Sequence, residues 1–156
     1  MEKIKVGKLV NTHGLKGEVR LLSDFEYKDR LFVVGNHLYI DNEELTINSY
    51  RVHKCFDMVT FKEYDYINDV LKFKGKNVYA LREEINLKKD ELLIEDYLNL
   101  KCYYNGKEIG YIEDVITGSN RLFVINGKYI PFNSNFIEKV DIDKKEIHLK
   151  NLEGLL

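Results

Sequence analysis

Cysteine, proline and tryptophan are scarce in this chain: its 156 residues include two cysteines, one proline and no tryptophan. Cys55 and Cys102 stand 47 positions apart, which is not the spacing of a zinc site, and a secreted disulfide scaffold would use more cysteines. No apolar run approaches the roughly 20 residues that a membrane helix needs, and the N-terminus shows no apolar signal core. We therefore expect a reduced, cytoplasmic protein that does not cross a membrane.

Neither half of the chain carries a marked charge. The formal net charge is −2, and residues 1–84 carry 14 basic and 14 acidic side chains. A protein that binds nucleic acid mainly by neutralising phosphates would be basic overall, so the composition argues against that class. Residues 1–20 are a local exception, with five basic side chains against two acidic ones.

Short strand-like segments follow one another along almost the whole sequence, as in a small barrel or sandwich. Asn105-Gly106 and Asn126-Gly127 each separate two such segments, and Asn-Gly tolerates the positive φ angles of a type I′ hairpin turn. Residues 117–120 supply a third turn signal. Together these signals predict a four-stranded meander from about Leu100 to Ile130.

Two short helical segments are predicted in the first half. Ser23-Asp24-Phe25 precedes a segment from Glu26 to Leu31, and a Ser or Asp oxygen can accept from the free N–H groups of a first helical turn. Apolar residues between Ile67 and Phe73 approximate helical spacing.

A charged, turn-prone stretch follows the strand-like segment that ends near Leu81. We place a linker at residues 85–91, which divides the chain into a first domain, residues 1–84, and a second domain, residues 92–156.

The segment from Val6 to Arg20 holds more chemistry than a turn needs. Two strand-like runs flank a polar loop in which Gly14 and Gly17 permit positive φ, and His13 and Lys16 lie in the same loop. Judged from these residues alone, a structural turn and a binding site are about equally favoured, because loops on rigid scaffolds often carry binding residues.

Catalytic and metal-binding motifs do not emerge from the sequence. The four histidines are scattered, and the serines sit in no nucleophile elbow. An enzyme that uses His13 with Glu18 or Asp24 remains an alternative, and it would require a deep polar pocket and a perturbed pKa around His13. We expect a non-catalytic protein with no metal and no cofactor.

Aromatic residues are plentiful, with 11 tyrosines and 8 phenylalanines. Most are expected to pack in strands and cores, although an exposed subset could stack bases or anchor a protein partner. Pro131 lacks a backbone donor, so Ile130-Pro131-Phe132 is interpreted as a strand end, with an apolar lip at a binding surface as the alternative.

Six short motifs, in order along the chain, resemble the RimM family of bacterial ribosome maturation factors. The most specific runs from Gly7-Lys8 to Arg20. The others are Ser23-Asp24-Phe25, Arg51, Gly110-Tyr111-Ile112-Glu113-Asp114-Val115, Ile130-Pro131-Phe132, and a closing segment with Val140-Asp141 and Glu153-Gly154-Leu155-Leu156.

This resemblance implies an all-β fold of two small β-barrel domains with short helical turns, a barrel like those of translation factors followed by a PRC-barrel. It implies a monomeric, non-catalytic assembly factor that binds the head of the immature small (30S) subunit through a head ribosomal protein of the S-nineteen family and assists 16S rRNA maturation. The alternative is an RNA-binding module that contacts rRNA directly, mainly through the first barrel.

The resemblance also implies roles for individual residues. Candidates for contact with the ribosome or its RNA are His13, Lys16, Arg20, Lys8 and Arg51. Candidates for binding the ribosomal protein are Leu92, Leu93, Tyr97, Arg121, Pro131 and Phe132. Gly7, Gly14 and Gly17 are expected to shape the loop.

The sequence departs from the family pattern in two places. Where the family has paired aromatics after Asp-Glu, Leu92-Leu93 follows Asp90-Glu91, so the contact here is expected to be aliphatic. The family's "GAND" turn is Gly118-Ser119-Asn120-Arg121, which replaces an acid with a base. The mildly acidic second domain suits a basic partner, because complementary potentials speed encounter.

Overall fold

Six antiparallel strands of the first unit close into a barrel in the order β1-β2-β5-β4-β3-β6. They are β1 (Lys3–His13), β2 (Glu18–Leu22), β3 (His37–Ile40), β4 (Glu43–His53), β5 (Phe56–Phe61) and β6 (Asn77–Leu81). Side chains alternate between the two faces of a strand, so Val19 and Leu21 of β2 point inward and are buried. β1 closes the ring because it pairs with both β2 and β6.

The structure, a computed structural model, describes residues 2–88, 91–116 and 121–155. It divides the chain into two units, residues 1–89 and 90–156, and this division falls within the segment for which a linker is predicted. Across the described ranges no helix is both long and apolar enough to cross a membrane.

Both helical segments predicted for the first half are present. α1 (Lys28–Leu31) begins later than expected, and Ser23 does not cap it. The Ser23 hydroxyl instead donates to the Val6 carbonyl at 2.5 Å and accepts from the Phe25 N–H at 3.1 Å, which joins β1 to the chain that follows β2. α2 (Ile67–Val70) continues as a 3₁₀ turn over residues 71–73.

A buried carboxylate sets the orientation of β5. Asp57 is 3% exposed, accepts from the Tyr50 hydroxyl at 2.6 Å and lies 2.8 Å from the Lys28 ammonium. Burial raises the pKa of Tyr50, so its hydroxyl stays protonated as the donor. Because neighbouring residues of a strand face opposite sides, the inward Asp57 places Phe56 and Met58 on the outer face.

The β1–β2 loop is held against the segment that leads into α2. The Ile67 N–H donates to the Leu15 carbonyl at 2.9 Å. At Gly17, where φ is +82°, a Cβ would lie 3.1 Å from both the Tyr64 carbonyl oxygen and the Tyr66 nitrogen. At Gly14, where φ is +73°, a Cβ would meet nothing within 4 Å. Gly17 therefore allows a close approach of two segments, whereas Gly14 provides only a backbone conformation.

In the second unit, the described strands form two sheets. They are β7 (Lys101–Tyr104), β8 (Lys107–Tyr111), β9 (Asp114–Ile116), β10 (Leu122–Ile125), β11 (Lys128–Pro131), β12 (Ile137–Asp141) and β13 (Glu146–Leu149). The sheet orders are β12-β13-β7-β8 and β11-β10-β9. Side chains from both sheets, Cys102 and Ile147 from one and Phe123 and Ile130 from the other, share one core. A short helix, α3 (Ile94–Tyr97), precedes β7.

The all-β class is confirmed, and so are both Asn-Gly hairpins, with a φ of 52° at Asn105 and at Asn126.

The predicted single four-stranded meander is wrong, because the five described strands of this region are divided between two sheets. The Ile112 N–H still bonds to the Leu100 carbonyl, whereas the next amide, Glu113, bonds to Val124, so the chain changes sheets between them. The turn predicted at 117–120 lies outside the described residues.

Gly17→Ala is expected to destabilise the protein more than its matched control, Gly14→Ala. Both variants force a left-handed conformation on a residue with a Cβ, at a cost of roughly 1–2 kcal/mol. Only Gly17→Ala must also displace backbone atoms of residues 64–66, which adds roughly 1–3 kcal/mol. Urea unfolding measures both losses, and equal losses would contradict the close approach at Gly17.

Candidate functional site

Six side chains form what we call the outer-face cluster, on the outside of the barrel where β1, β2, β5 and β4 meet. Its members are His13, Glu18, Arg20, Arg51, His53 and Phe56. Arg20 of β2 and Arg51 of β4 both lie opposite Met58 of β5, one on each side. Met58 faces outward yet is 0% exposed, so the long side chains beside it cover it.

Arg20 is held by two ring side chains. Its Nη2 donates to His13 Nδ1 at 2.8 Å, and its guanidinium lies 5.7 Å from the centre of the Phe56 ring. Arginine has no acceptor atom, so His13 Nδ1 is the acceptor in this hydrogen bond. The Arg20 Nε is buried and has no hydrogen-bond partner among the described residues. The cluster thus contains a cation whose hydrogen-bonding capacity is not fully used.

Arg51 is committed to an acid. Its Nε and Nη2 donate to the two carboxylate oxygens of Glu18 at 2.8 and 2.7 Å, the two-pronged geometry that planar guanidinium favours. The Arg51 hydrogen bond, supported by its charge and by nearby His13 and His53, holds the pKa of Glu18 below its usual 4.5. The pair therefore stays ionised, and its charges largely cancel.

His53 and Phe56 belong to the cluster although the sequence analysis did not select them. The His53 ring lies 5.7 Å from the His13 ring, and His53 pairs with Phe56 across the β4–β5 hairpin. Desolvation and the surrounding cations, Arg51 first, hold the pKa of His53 below its usual 6.5. No local motif marks these residues; only the pairing of β5 with β2 brings them beside Arg20.

The five residues predicted to contact the ribosome are not all in one place. His13, Arg20 and Arg51 lie in the cluster. Lys16 is exposed on the adjoining loop, beside Leu15, which is 69% exposed. Lys8 is exposed five residues before His13 on β1, on the order of 16 Å along the strand, and does not join the cluster. Gly7 lies within β1, where a Cβ would approach the Leu22 carbonyl oxygen to 2.7 Å.

The arrangement does not match the catalytic pairing considered from the sequence. The His13 ring is hydrogen-bonded to the guanidinium of Arg20, and Glu18 is bound to Arg51. In residues 2–88, 91–116 and 121–155, no three His, Cys, Asp or Glu side chains are grouped so as to hold a metal ion.

Four of the residues predicted to bind the ribosomal protein lie together in the second unit. The Phe132 ring packs 4.8 Å from Tyr97 and 4.5 Å from the fully buried Phe123. The Phe132 N–H donates to the Arg121 carbonyl at 2.9 Å, and Pro131 lies opposite Leu122 in the β10–β11 pair. Tyr97, Arg121, Pro131 and Phe132 are all partly exposed, and the rings of Tyr97 and Phe132 contact each other.

The predicted aliphatic contact at Leu92 and Leu93 falls on side chains that the structure buries. These side chains are only 8% and 2% exposed. Asp96 accepts a hydrogen bond from the Leu93 N–H at 2.9 Å, which fixes this stretch at the start of α3. Leucine side chains gain free energy when they leave water, so in this structure they support the fold instead of offering an open surface.

Comparison with known proteins adds independent findings. The model of the RimM N-terminal domain matches residues 4–85. A ribosome maturation factor RimM from an Exiguobacterium species is 34% identical over 168 residues, covering 100% of this chain and 98% of the relative. The RimM of Staphylococcus haemolyticus is 36% identical over 165 residues and 99% of each chain. The solution structure of the N-terminal domain of RimM from Thermus thermophilus is 16% identical with a TM-score of 0.49, and covers 56% of this chain and 98% of that one.

A closed barrel with a polar cluster on its outer face, followed by a unit of two small sheets, defines a two-unit all-β protein. The full-length relatives and the matched domain place it more narrowly: the chain belongs to the RimM family of ribosome maturation factors.

The Glu18–Arg51 pair is expected to make stability depend on pH. The folded pKa of Glu18 lies below its ordinary value, so the pair contributes fully above about pH 4.5 and its contribution is lost as the pH falls through the lower folded pKa. Arg51→Gln should therefore lower the urea midpoint at pH 7, and the difference from the wild type should shrink toward pH 3. Lys62→Gln, at an exposed lysine, is the matched control and should show no such trend. A difference that stays constant with pH would contradict the pairing.

Proposed function

We propose that this protein is a non-catalytic assembly factor that binds the head of the immature small ribosomal subunit and assists maturation of 16S rRNA. The observation that carries the proposal is the outer-face cluster, which a rigid closed barrel holds in place. Relatives that match the full chain are named ribosome maturation factors, and this agrees with a surface suited to binding.

The cluster suits a negatively charged surface. Glu18 and Arg51 neutralise each other, which leaves Arg20 as the cation that no acid pairs with among the described residues. Exposed Lys16 and Lys54 lie on the two adjoining loops, at the β1–β2 and β4–β5 ends. Guanidinium and ammonium groups bind phosphate oxygens well, so this end of the barrel, with Arg20, Lys16 and Lys54, is assigned to the pre-ribosome.

The second unit is assigned to the head ribosomal protein of the S-nineteen family. Residues 85–156 carry 10 basic and 12 acidic side chains, which favours encounter with a basic protein. The contact is assigned to Tyr97, Arg121, Pro131 and Phe132, because aromatic side chains with one open face are the usual anchors of interfaces. Leu92 and Leu93 are given no direct contact, since they are buried.

A second candidate is a module that binds rRNA directly through the first barrel. The local excess of basic side chains in residues 1–20 favours it, and the overall charge of −2 counts against it. Salt dependence separates the two, because binding dominated by phosphate contacts weakens steeply as the salt concentration rises.

Sedimentation with small subunits tests the proposal. The chain should be retained by immature subunits that contain the head protein, and less well by the same subunits reconstituted without it. Arg20→Gln should weaken retention by roughly ten- to a hundredfold, because one charge-assisted contact contributes about 1.5–3 kcal/mol. Phe132→Leu, which keeps apolar volume but loses the ring, should weaken only the head-protein-dependent part.

Two variants serve as matched controls, Lys62→Gln for the lost charge and Tyr129→Leu for the lost ring, since Tyr129 is 58% exposed on the same strand as Pro131. Both should bind as the wild type does. Equal retention with and without the head protein would contradict the partner assignment. Retention that falls steeply with salt when the head protein is absent would favour direct RNA binding.

A further inference from the structure

A cleft of about 540 Å³ opens on the outside of the barrel, over β1, β3 and β6. Its lining includes Lys3, Tyr39, Asp41, Asn42, Lys76 and Tyr79. None of these residues belongs to the outer-face cluster. The volume falls within the roughly 300–1,000 Å³ that small-ligand sites occupy, so one nucleotide would fit.

Two tyrosines on neighbouring strands form the floor of the cleft. Tyr79 of β6 lies opposite Tyr39 of β3 on one side and opposite Lys5 of β1 on the other. The neighbours of Tyr79 along β6, Val78 and Ala80, are fully buried, so Tyr79 itself faces outward. Both tyrosines are partly exposed, and the Lys3 ammonium lies over the Tyr39 ring, so Tyr79 offers the ring on which a base would stack.

The cleft is richer in positive charge than the chain as a whole. Lys3 Nζ lies 4.7 Å from the centre of the Tyr39 ring, and Lys76 Nζ lies 3.2 Å from Asp41 Oδ2. Lys5 and Lys74 flank these residues and are exposed. Within the described lining, Lys3 and Lys76 stand against one acid, Asp41, and Glu44, Glu83 and Glu84 lie near Tyr39. The two lysines of the lining are therefore the groups that would take a phosphate.

The Tyr39 hydroxyl stays protonated beside these lysines. Burial, with Glu44 nearby, raises the pKa of Tyr39 to about 12, and its hydroxyl donates to Glu44 at 3.2 Å. At the rim, Asn42 and Asn77 supply amide groups, which can both donate to and accept from the edge of a base. The cleft therefore combines a stacking surface, polar groups for base edges and cations for phosphate.

We propose that this cleft binds one nucleotide of single-stranded RNA, with the base stacked on Tyr79 and the phosphate between Lys3 and Lys76. The assignment rests on the proposed function, because an immature ribosomal subunit exposes unpaired RNA. A protein ligand fits less well, since the described lining offers two rings beside lysines and amides and no aliphatic side chain.

Fluorescence anisotropy with the full-length protein and a short labelled oligoadenylate tests the site. The wild type should bind saturably and more tightly than it binds a duplex of the same length. Tyr79→Leu should weaken binding by roughly tenfold, as loss of one base–aromatic stack does, whereas Tyr79→Phe should bind as the wild type does. Lys3→Gln combined with Lys76→Gln should weaken binding and reduce the slope of log affinity against log salt by roughly 1. Lys62→Gln should change neither.

Several results would overturn the proposal. The first is that Tyr79→Leu and Tyr79→Phe bind with equal affinity. The second is that Arg20→Gln abolishes binding while the cleft variants do not weaken it. The third is that the protein binds the oligonucleotide no more tightly than adenosine monophosphate, which would assign the cleft to a free nucleotide. Tyr79→Phe is the control for misfolding, because this variant keeps the ring and must retain affinity. If subunits retain the protein but it does not bind oligoadenylate, the cleft proposal fails and the proposed function stands. If the protein binds oligoadenylate but subunits do not retain it, the proposed function fails and the cleft remains a nucleotide-binding site.

Discussion

Closure of the first barrel through β1 is the constraint on which its surfaces depend. β1 pairs with β2 along one edge and with β6 along the other, with a register shift in each pairing. Because side chains alternate with a period of two, a slip by one residue would turn its buried set outward. The same register places Lys3 and Lys5 beside the tyrosine cleft and His13 beside Arg20. One long strand thus positions two chemically different surfaces at its two ends.

The electrostatics of the first unit come from how its charges are paired. Asp57 is buried beside the Tyr50 hydroxyl and the Lys28 ammonium, and Glu18 is bound to Arg51. The charges that a partner can meet are therefore those with no opposite charge beside them, Arg20 above all, and the net charge of the chain does not reveal them. A chain that is slightly acidic overall can in this way present local basic surfaces, which explains why composition alone argues weakly about its ligands.

The features that could be predicted from the sequence are those that depend on residues close together in the chain. The Asn-Gly hairpins, the helical turn near Ile67 and the strand Asn77–Leu81 follow from backbone preferences and side-chain periodicity. The ion pair of Arg51 with Glu18, 33 residues away, does not, because it depends on strand order. The same holds for His53 in the cluster and for the division of the second unit into two sheets. The burial of Leu92 and Leu93 also depends on tertiary packing, which the sequence pattern at this position does not reveal.

The central claim is that the end of the barrel carrying the outer-face cluster faces the immature subunit. Hydrogen–deuterium exchange of the protein, free and bound to immature small subunits, tests it most directly, since amides in exposed loops exchange fast until a partner covers them. The account predicts slowed exchange at residues 14–16 of the β1–β2 loop and at residues 54–55 of the β4–β5 turn. Protection confined to the second unit, with both loops exchanging as in the free protein, would contradict it.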